Sequence, residues 1–84
     1  MYYVYILQSQ KTKGIYIGYT NDLKRRFREH NQKRNEFTDV GQPWKLVYYE
    51  AYRDERDAKD REKKLGQYGN ARTYVKQRLK FSML

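Results

Sequence analysis

Five side chains in this sequence have types and spacings that core packing does not explain: Tyr5, Tyr16, Arg26, His30 and Glu62. Glu62 lies four residues after Ala58 and three before Leu65, so it shares the inward face of an expected helix. An unpaired carboxylate there is costly to desolvate or takes up a proton, and it calls for a partner. That partner is an arginine such as Arg26 in a salt bridge, or a metal ion, or the water of a polar cleft. Arg26 and His30 are themselves four apart, and on a helix they form a polar line beside the apolar pair Leu23 and Phe27. Tyr5 and Tyr16 fall on two strand-like segments whose short connection can bring them to one face. Buried tyrosine hydroxyls require polar partners, so two of them beside Arg26 and Glu62 would line a polar site. Taken singly, each has an ordinary reading as a core aromatic, a surface residue or an ion pair.

The elements that must position them follow from the pattern. Residues 2–7 (YYVYIL) are aromatic and β-branched enough for a strand covered on both faces, and 15–20 (IYIGYT) form a second. The link through Gly14 is too short for a crossover helix, which makes the two antiparallel neighbours. Thr20 or Asn21 can cap a helix through Asn31. Residues 31–43 read as a loop with Phe37 as a buried candidate, and 44–52 (WKLVYYEAY) as the third strand. Asp54 can cap a second helix, with Asp57 approximating a capping box, Ala58, Arg61 or Glu62, and Leu65 facing in, and Gly66 and Gly69 ending it. Asn70 can cap a last helix over 71–80. The order β-β-α-β-α-α predicts one α/β domain of the α+β type spanning 1–84. It excludes alternating βα nucleotide-binding units, and no glycine-rich phosphate loop is present.

Composition narrows the chemistry further. With 84 residues there is one thin core, helped by ten tyrosines and three phenylalanines. The absence of cysteine removes disulfides, zinc knuckles, iron–sulfur sites and thiol catalysis, and His30 is the only histidine. A bound metal must therefore be held by oxygen ligands and water. No apolar run is long enough to span a membrane and no signal pattern opens the chain, so a cytoplasmic protein is expected. The net charge is +9, with +5 in residues 24–34 and +6 in 63–84 flanking −2 in 50–62. Such a field attracts polyanions, nucleic acid first among them.

The sequence resembles the GIY-YIG nuclease domain, and most closely its small stand-alone bacterial members. The resemblance runs over nearly the whole chain. Tyr3-Val4-Tyr5 stands where the family has its first Gly-Ile-Tyr, and Tyr16-Ile17-Gly18 is the second motif in literal form. YIGYTNDLKRRFREHN at 16–31, PWKLVYYEAY at 43–52 and the Ala58–Leu65 segment continue the likeness. The literal Gly14-Ile15-Tyr16 is misleading, since its tyrosine belongs to the second motif. The resemblance implies a three-stranded antiparallel sheet flanked by helices. It further implies that Tyr5 and Tyr16 contact the water and scissile phosphate, that Arg26 holds the phosphate, that His30 assists in proton transfer or positioning, and that Glu62 ligates one divalent cation, Mg²⁺ or Mn²⁺. Asn70 stands too early to match the asparagine of some relatives.

For phosphodiester hydrolysis the parts make physical sense. Arg26 can grip a nonbridging oxygen through its fixed fork of donors. One hard cation on Glu62 and water suits a donor inventory of oxygens. A tyrosine has a pKa near 10, so either one acts as base only where a cation or Arg26 stabilises the phenolate. The expected function is a metal-dependent DNA endonuclease acting on repair or recombination structures. The alternatives are a nucleic-acid-binding module with little turnover and a basic structural domain. DNA backbone contacts are expected from Lys24, Arg25, Arg28, Lys33, Arg34, Lys63, Lys64, Arg72 and Lys76, and a monomer is expected.

Overall fold

The computed structural model describes residues 1–32, 39–67 and 70–83. Strands β1 (Tyr2–Ser9), β2 (Ile15–Thr20) and β3 (Trp44–Tyr52) build one antiparallel sheet in the order β2-β1-β3. Helix α1 (Leu23–His30) joins β2 towards β3, a short 3₁₀ turn at Asp39–Gly41 precedes β3, and α2 (Glu55–Gly66) and α3 (Asn70–Arg78) follow. The order is the expected β-β-α-β-α-α. No helix among the described residues is long and apolar enough to cross a membrane.

The central strand explains the two-sided core. Side chains alternate along a strand, and β1 sends Tyr2 and Val4 to one face and Tyr5 and Leu7 to the other. On the first face Val4 packs with Ala58 and Leu65 of α2, with Ile17, Tyr52 and Tyr74 around them. On the second, Tyr5, Leu7 and Trp44 pack with Leu23 and Phe27 of α1 and with Tyr16 and Leu46. Helices on both faces are the reason the 2–7 run reads as continuously apolar and aromatic. The β1–β3 register slips between Ile6 and Leu7, which pair with Tyr48 and Leu46 and leave Val47 as an added residue.

Local chemistry shifts several boundaries. The cap of α1 is Asp22, not Thr20 or Asn21: its carboxylate accepts from the Arg25 N–H at 3.1 Å, and the helix starts at Leu23. Thr20 is already engaged, because its Oγ1 accepts from the Asp22 N–H in a local turn. In the β1–β2 connection the left-handed residue is Lys13, at φ 65°, so the turn does not depend on Gly14 for it. Ser9 secures that connection: its Oγ accepts from the N–H groups of Lys11 and Thr12 and donates to the Gly41 carbonyl at 2.6 Å. Asp54 caps α2 as expected, accepting from the Arg56 N–H. Gly66 is the last residue of α2, Gln67 turns extended after it, and α3 closes at Arg78, two residues before the expected end. Phe37 and Gly69 lie outside the described residues.

Candidate active site

Tyr5 comes from the middle of β1, Tyr16 from β2, and Arg26 and His30 from successive turns of α1. The sheet register sets the first two. Leu7 faces Tyr16 and Tyr5 faces Gly18, so both tyrosines point to the α1 side. Their ring centroids lie 6.4 Å apart, and the His30 ring sits edge-on to both, at 5.8 Å from Tyr5 and 4.8 Å from Tyr16. Gly18 is what admits the Tyr5 ring: a Cβ built there would lie 2.2 Å from the Tyr5 hydroxyl and 2.3 Å from its Cζ.

Polar contacts tie the cluster together. The Tyr5 hydroxyl is 2.9 Å from His30 Nε2, and both side chains are buried, at 1% and 0% exposure. The Arg26 guanidinium lies against the same hydroxyl and also feels Tyr16. Burial pushes the Tyr5 phenol up to about 12; the hydrogen-bonding influence of Arg26 opposes the rise, and Glu62 adds to it. Burial, then the Arg26 charge, pull the His30 imidazole down to about 4, so the ring is neutral near pH 7. A neutral phenol beside a neutral imidazole, with Arg26 as a further donor to the phenol oxygen, assigns the Tyr5 proton to the bond with Nε2. His30 is thus a core residue, and its helix reaches the sheet through it. The backbone around it is pinned as well: Gln42 Nε2 donates to the His30 carbonyl at 2.7 Å, and the Asn31 amide both donates to and accepts from the Trp44 backbone.

Glu62 approaches from α2, which packs across β1, β2 and β3. It is half-buried, and desolvation alone raises its pKa. It acts electrostatically on both Tyr5 and Tyr19. Among the described residues it makes no ion pair or hydrogen bond. The arginines that could have neutralised it are engaged elsewhere: Arg26 with Glu29 at 3.4 Å, and Arg61 with Glu50 at 2.9 Å. The salt-bridge reading of Glu62 with Arg26 therefore gives way to a carboxylate without a cationic partner among the described residues. No three metal-ligating side chains converge among the described residues. A single carboxylate facing water fits one hard, largely hydrated cation and does not fit a tetrahedral or two-metal centre.

Tyr5, Tyr16, Arg26 and His30 thus form one contact cluster, and Glu62 stands within electrostatic reach of it on another helix. The expected nucleic-acid contacts Lys24, Arg25, Arg28, Lys63, Lys64, Arg72 and Lys76 are all exposed. Arg25 and Lys64 carry exposed ion pairs, to Asp22 at 3.8 Å and to Asp60 at 3.0 Å. Lys33 and Arg34 lie outside the described residues.

The model of the GIY-YIG catalytic domain matches residues 1–80. The chain belongs to the GIY-YIG family. Within it, a UPF0213 protein of Clostridium perfringens is 41% identical over 63 residues, covering 74% of this chain and 67% of that protein. A UPF0213 protein of Haloquadratum walsbyi is 35% identical over 68 residues, or 80% of this chain and 75% of the relative. The solution structure of a UPF0213 protein from Bacillus halodurans superposes with a TM-score of 0.57 at 28% identity, covering 93% of this chain and 86% of that one. The α+β fold matches this neighbour. The Gly18 of the second GIY-YIG motif acquires a steric reason here, as the position that leaves room for the tyrosine of the first.

A second polar cluster escaped the sequence reading. Glu50 on β3 accepts from the hydroxyls of Tyr48 and Tyr52 and from Arg61 Nε and Nη2, and Tyr74 of α3 donates to the Tyr48 hydroxyl at 2.7 Å. The guanidinium groups of Arg61 and Arg78 both lie 5.4 Å from the Tyr74 ring centre. The available signal was the Tyr-x-Glu-x-Tyr alternation on one strand face. Its cationic partner lies eleven residues on, in another element, and no local pattern announces it.

Proposed function

We propose that the chain is a metal-dependent phosphodiesterase of the endonuclease type acting on DNA, with Tyr5, Tyr16, Arg26, His30 and Glu62 as its working residues. The observation that carries the reading is the pairing of a compact Tyr5–His30–Arg26 cluster with a half-buried Glu62 that has no cationic partner among the described residues. A half-buried carboxylate with no cationic partner among the described residues, next to an arginine-bearing cluster, is poorly explained by stability and well explained by a cation and a phosphate.

Arg26 is the phosphate clamp. Its exchange of the loose Glu29 contact for a phosphodiester oxygen replaces a half-exposed ion pair with a bidentate one. That exchange also offsets the positive charge that helps hold the His30 pKa down, so a bound phosphate makes His30 a better proton acceptor. Tyr5 can then accept a proton from the attacking water while its own hydroxyl proton passes to His30 Nε2 along the existing hydrogen bond. Tyr16, at the rim beside His30, orients the water or the phosphate. Mg²⁺ or Mn²⁺ on Glu62 and water would supply Lewis-acid charge for the phosphoryl oxygens. Repair or recombination structures remain the proposed substrates, and the exposed basic residues supply backbone contacts.

A second reading is favoured by one observation: Tyr5 and His30 are almost fully buried, which suits a structural pair in a nucleic-acid-binding module with little turnover. A divalent-metal titration on labelled duplex, nicked, flap and branched DNA separates the two. Metal-dependent nicking lost in both Glu62→Ala and Arg26→Ala supports the enzyme; binding without nicking at any metal concentration supports the module.

A further inference from the structure

On the α1 side of the sheet, towards β3, lies a groove of about 390 Å³. That is at the lower end of the range for small-ligand sites, roughly 300 to 1,000 Å³. Its walls are aromatic. Tyr3 of β1 and Tyr49 of β3 stand edge to face at 6.1 Å, with Leu23 and Phe27 of α1 and Leu46 of β3 completing the apolar lining. Tyr49 is 53% exposed, an unusual position for a large ring on a sheet face that is otherwise covered. At the mouth sit Lys24 and the exposed amide of Asn21, able both to donate and to accept. The acid among its described lining residues, Asp22, is already engaged by the Arg25 backbone N–H and faces the Arg25 side chain. None of the five site residues lines this groove.

The occupant follows from that chemistry. Aromatic walls, an amide at the rim and a lysine with no ion pair among the described residues suit a flat, hydrogen-bonding ring attached to an anionic backbone. The +9 charge of the chain points the same way, against an apolar peptide. We propose that the groove binds an unpaired nucleobase, stacked on Tyr49, from the strand whose phosphate lies at Arg26; this rests on the nucleic-acid reading above. Helix α1 is the spacer between the two. Lys24 and Phe27 line the groove, and Arg26 and His30 of the same helix belong to the site. The consequence is a preference for strands with unpaired bases over continuous duplex.

The test uses two fluorescent single strands of equal length and charge, one with bases and one an abasic sugar-phosphate chain, in EDTA at low salt. Wild type should bind the base-bearing strand more tightly. Tyr49→Leu, which keeps an apolar side chain but not the ring, should weaken that binding about 5- to 100-fold and leave the abasic strand unchanged. Tyr49→Phe should behave as wild type, and Arg26→Ala should weaken both strands. Equal loss of both strands in Tyr49→Leu, or no loss, overturns the base site while leaving nucleic-acid binding intact. Failure of wild type to bind either strand overturns the nucleic-acid reading and the base site with it.

Discussion

The hydroxyl of Tyr5 occupies the space that a side chain at residue 18 would need, 2.2 Å from where a Cβ would stand. The two residues face each other across the β1–β2 pair, and the ring of one lies over the bare backbone of the other. The glycine of the second motif and the tyrosine of the first are therefore one structural unit.

Gly18→Ala should push the Tyr5 ring off its present position and break its contact with His30. Overpacking of this kind costs about 1 to 3 kcal/mol, and urea denaturation should register it. The same variant should lose metal-dependent nicking. A stability change below about 0.5 kcal/mol, within the range of ordinary surface substitutions, would show that the ring has room to move and that the close approach is unimportant.

Acid should weaken the fold through the burial of His30. His30 falls from 6.5 to about 4 on folding, chiefly because it is buried. Between those values the unfolded chain holds a proton that the native chain lacks, so stability present above pH 6.5 is lost as pH falls towards 4, by about 3 kcal/mol in full. Glu50 and Asp54, whose pKa values are lowered by their arginine partners after any opposing burial, lose their contributions at lower pH. Denaturation curves at pH 7, 6 and 5 should therefore slope downward in wild type and flatten in His30→Gln. Parallel slopes for the two proteins would assign the effect elsewhere.

Two carboxylates of the chain should respond in opposite ways to removal. Glu50 is held by Arg61 and two tyrosines in a pocket where its side chain is 18% exposed, and Glu50→Ala should cost about 2 to 4 kcal/mol. Glu62, whose pKa is raised by desolvation, is destabilising when ionised, so Glu62→Gln should leave metal-free stability level or slightly higher. Melting curves in EDTA decide this half. With Mn²⁺ added, any stabilisation of wild type should be absent from Glu62→Gln. A large loss in EDTA, with the Mn²⁺ effect retained, would make Glu62 a structural ion-pair partner.

Binding to DNA should fall steeply with salt and depend little on duplex sequence, since the exposed basic residues offer backbone contacts. Affinity measured from about 50 to 300 mM salt should lose part of its slope in a Lys24→Ala, Arg28→Ala double variant. A flat profile in wild type would remove the electrostatic basis of the proposal.

The sequence was most informative where one element satisfies itself. Residues 44–52 concentrate β-branched and aromatic side chains and form β3 within those bounds; Asp54 caps α2 because its acceptor and its donor are two residues apart. Competition between neighbours was harder to read, as with Thr20, which spends its hydroxyl on the Asp22 N–H and passes the helix cap onward. The candidate site was legible as a set of residues but not as a depth: His30 looks like a surface residue on a polar helix and is fully buried. Long-range pairing was hidden altogether, as in Glu50 with Arg61.

The alternation of β1 also limits how this chain can change in length. Because Tyr3, Tyr5 and Leu7 serve the α1 face while Tyr2, Val4 and Ile6 point the other way, one residue inserted or removed between Tyr2 and Tyr5 would exchange the two sets. Tyr5 would leave His30 for the α2 core, Val4 would face Gly18, and both hydrophobic layers would be mispaired together. Turns can absorb an extra residue; the central strand has no solvent side on which to lose one. Among GIY-YIG chains built on this sheet, length variation should therefore collect in the connections and spare the strand that carries the first tyrosine.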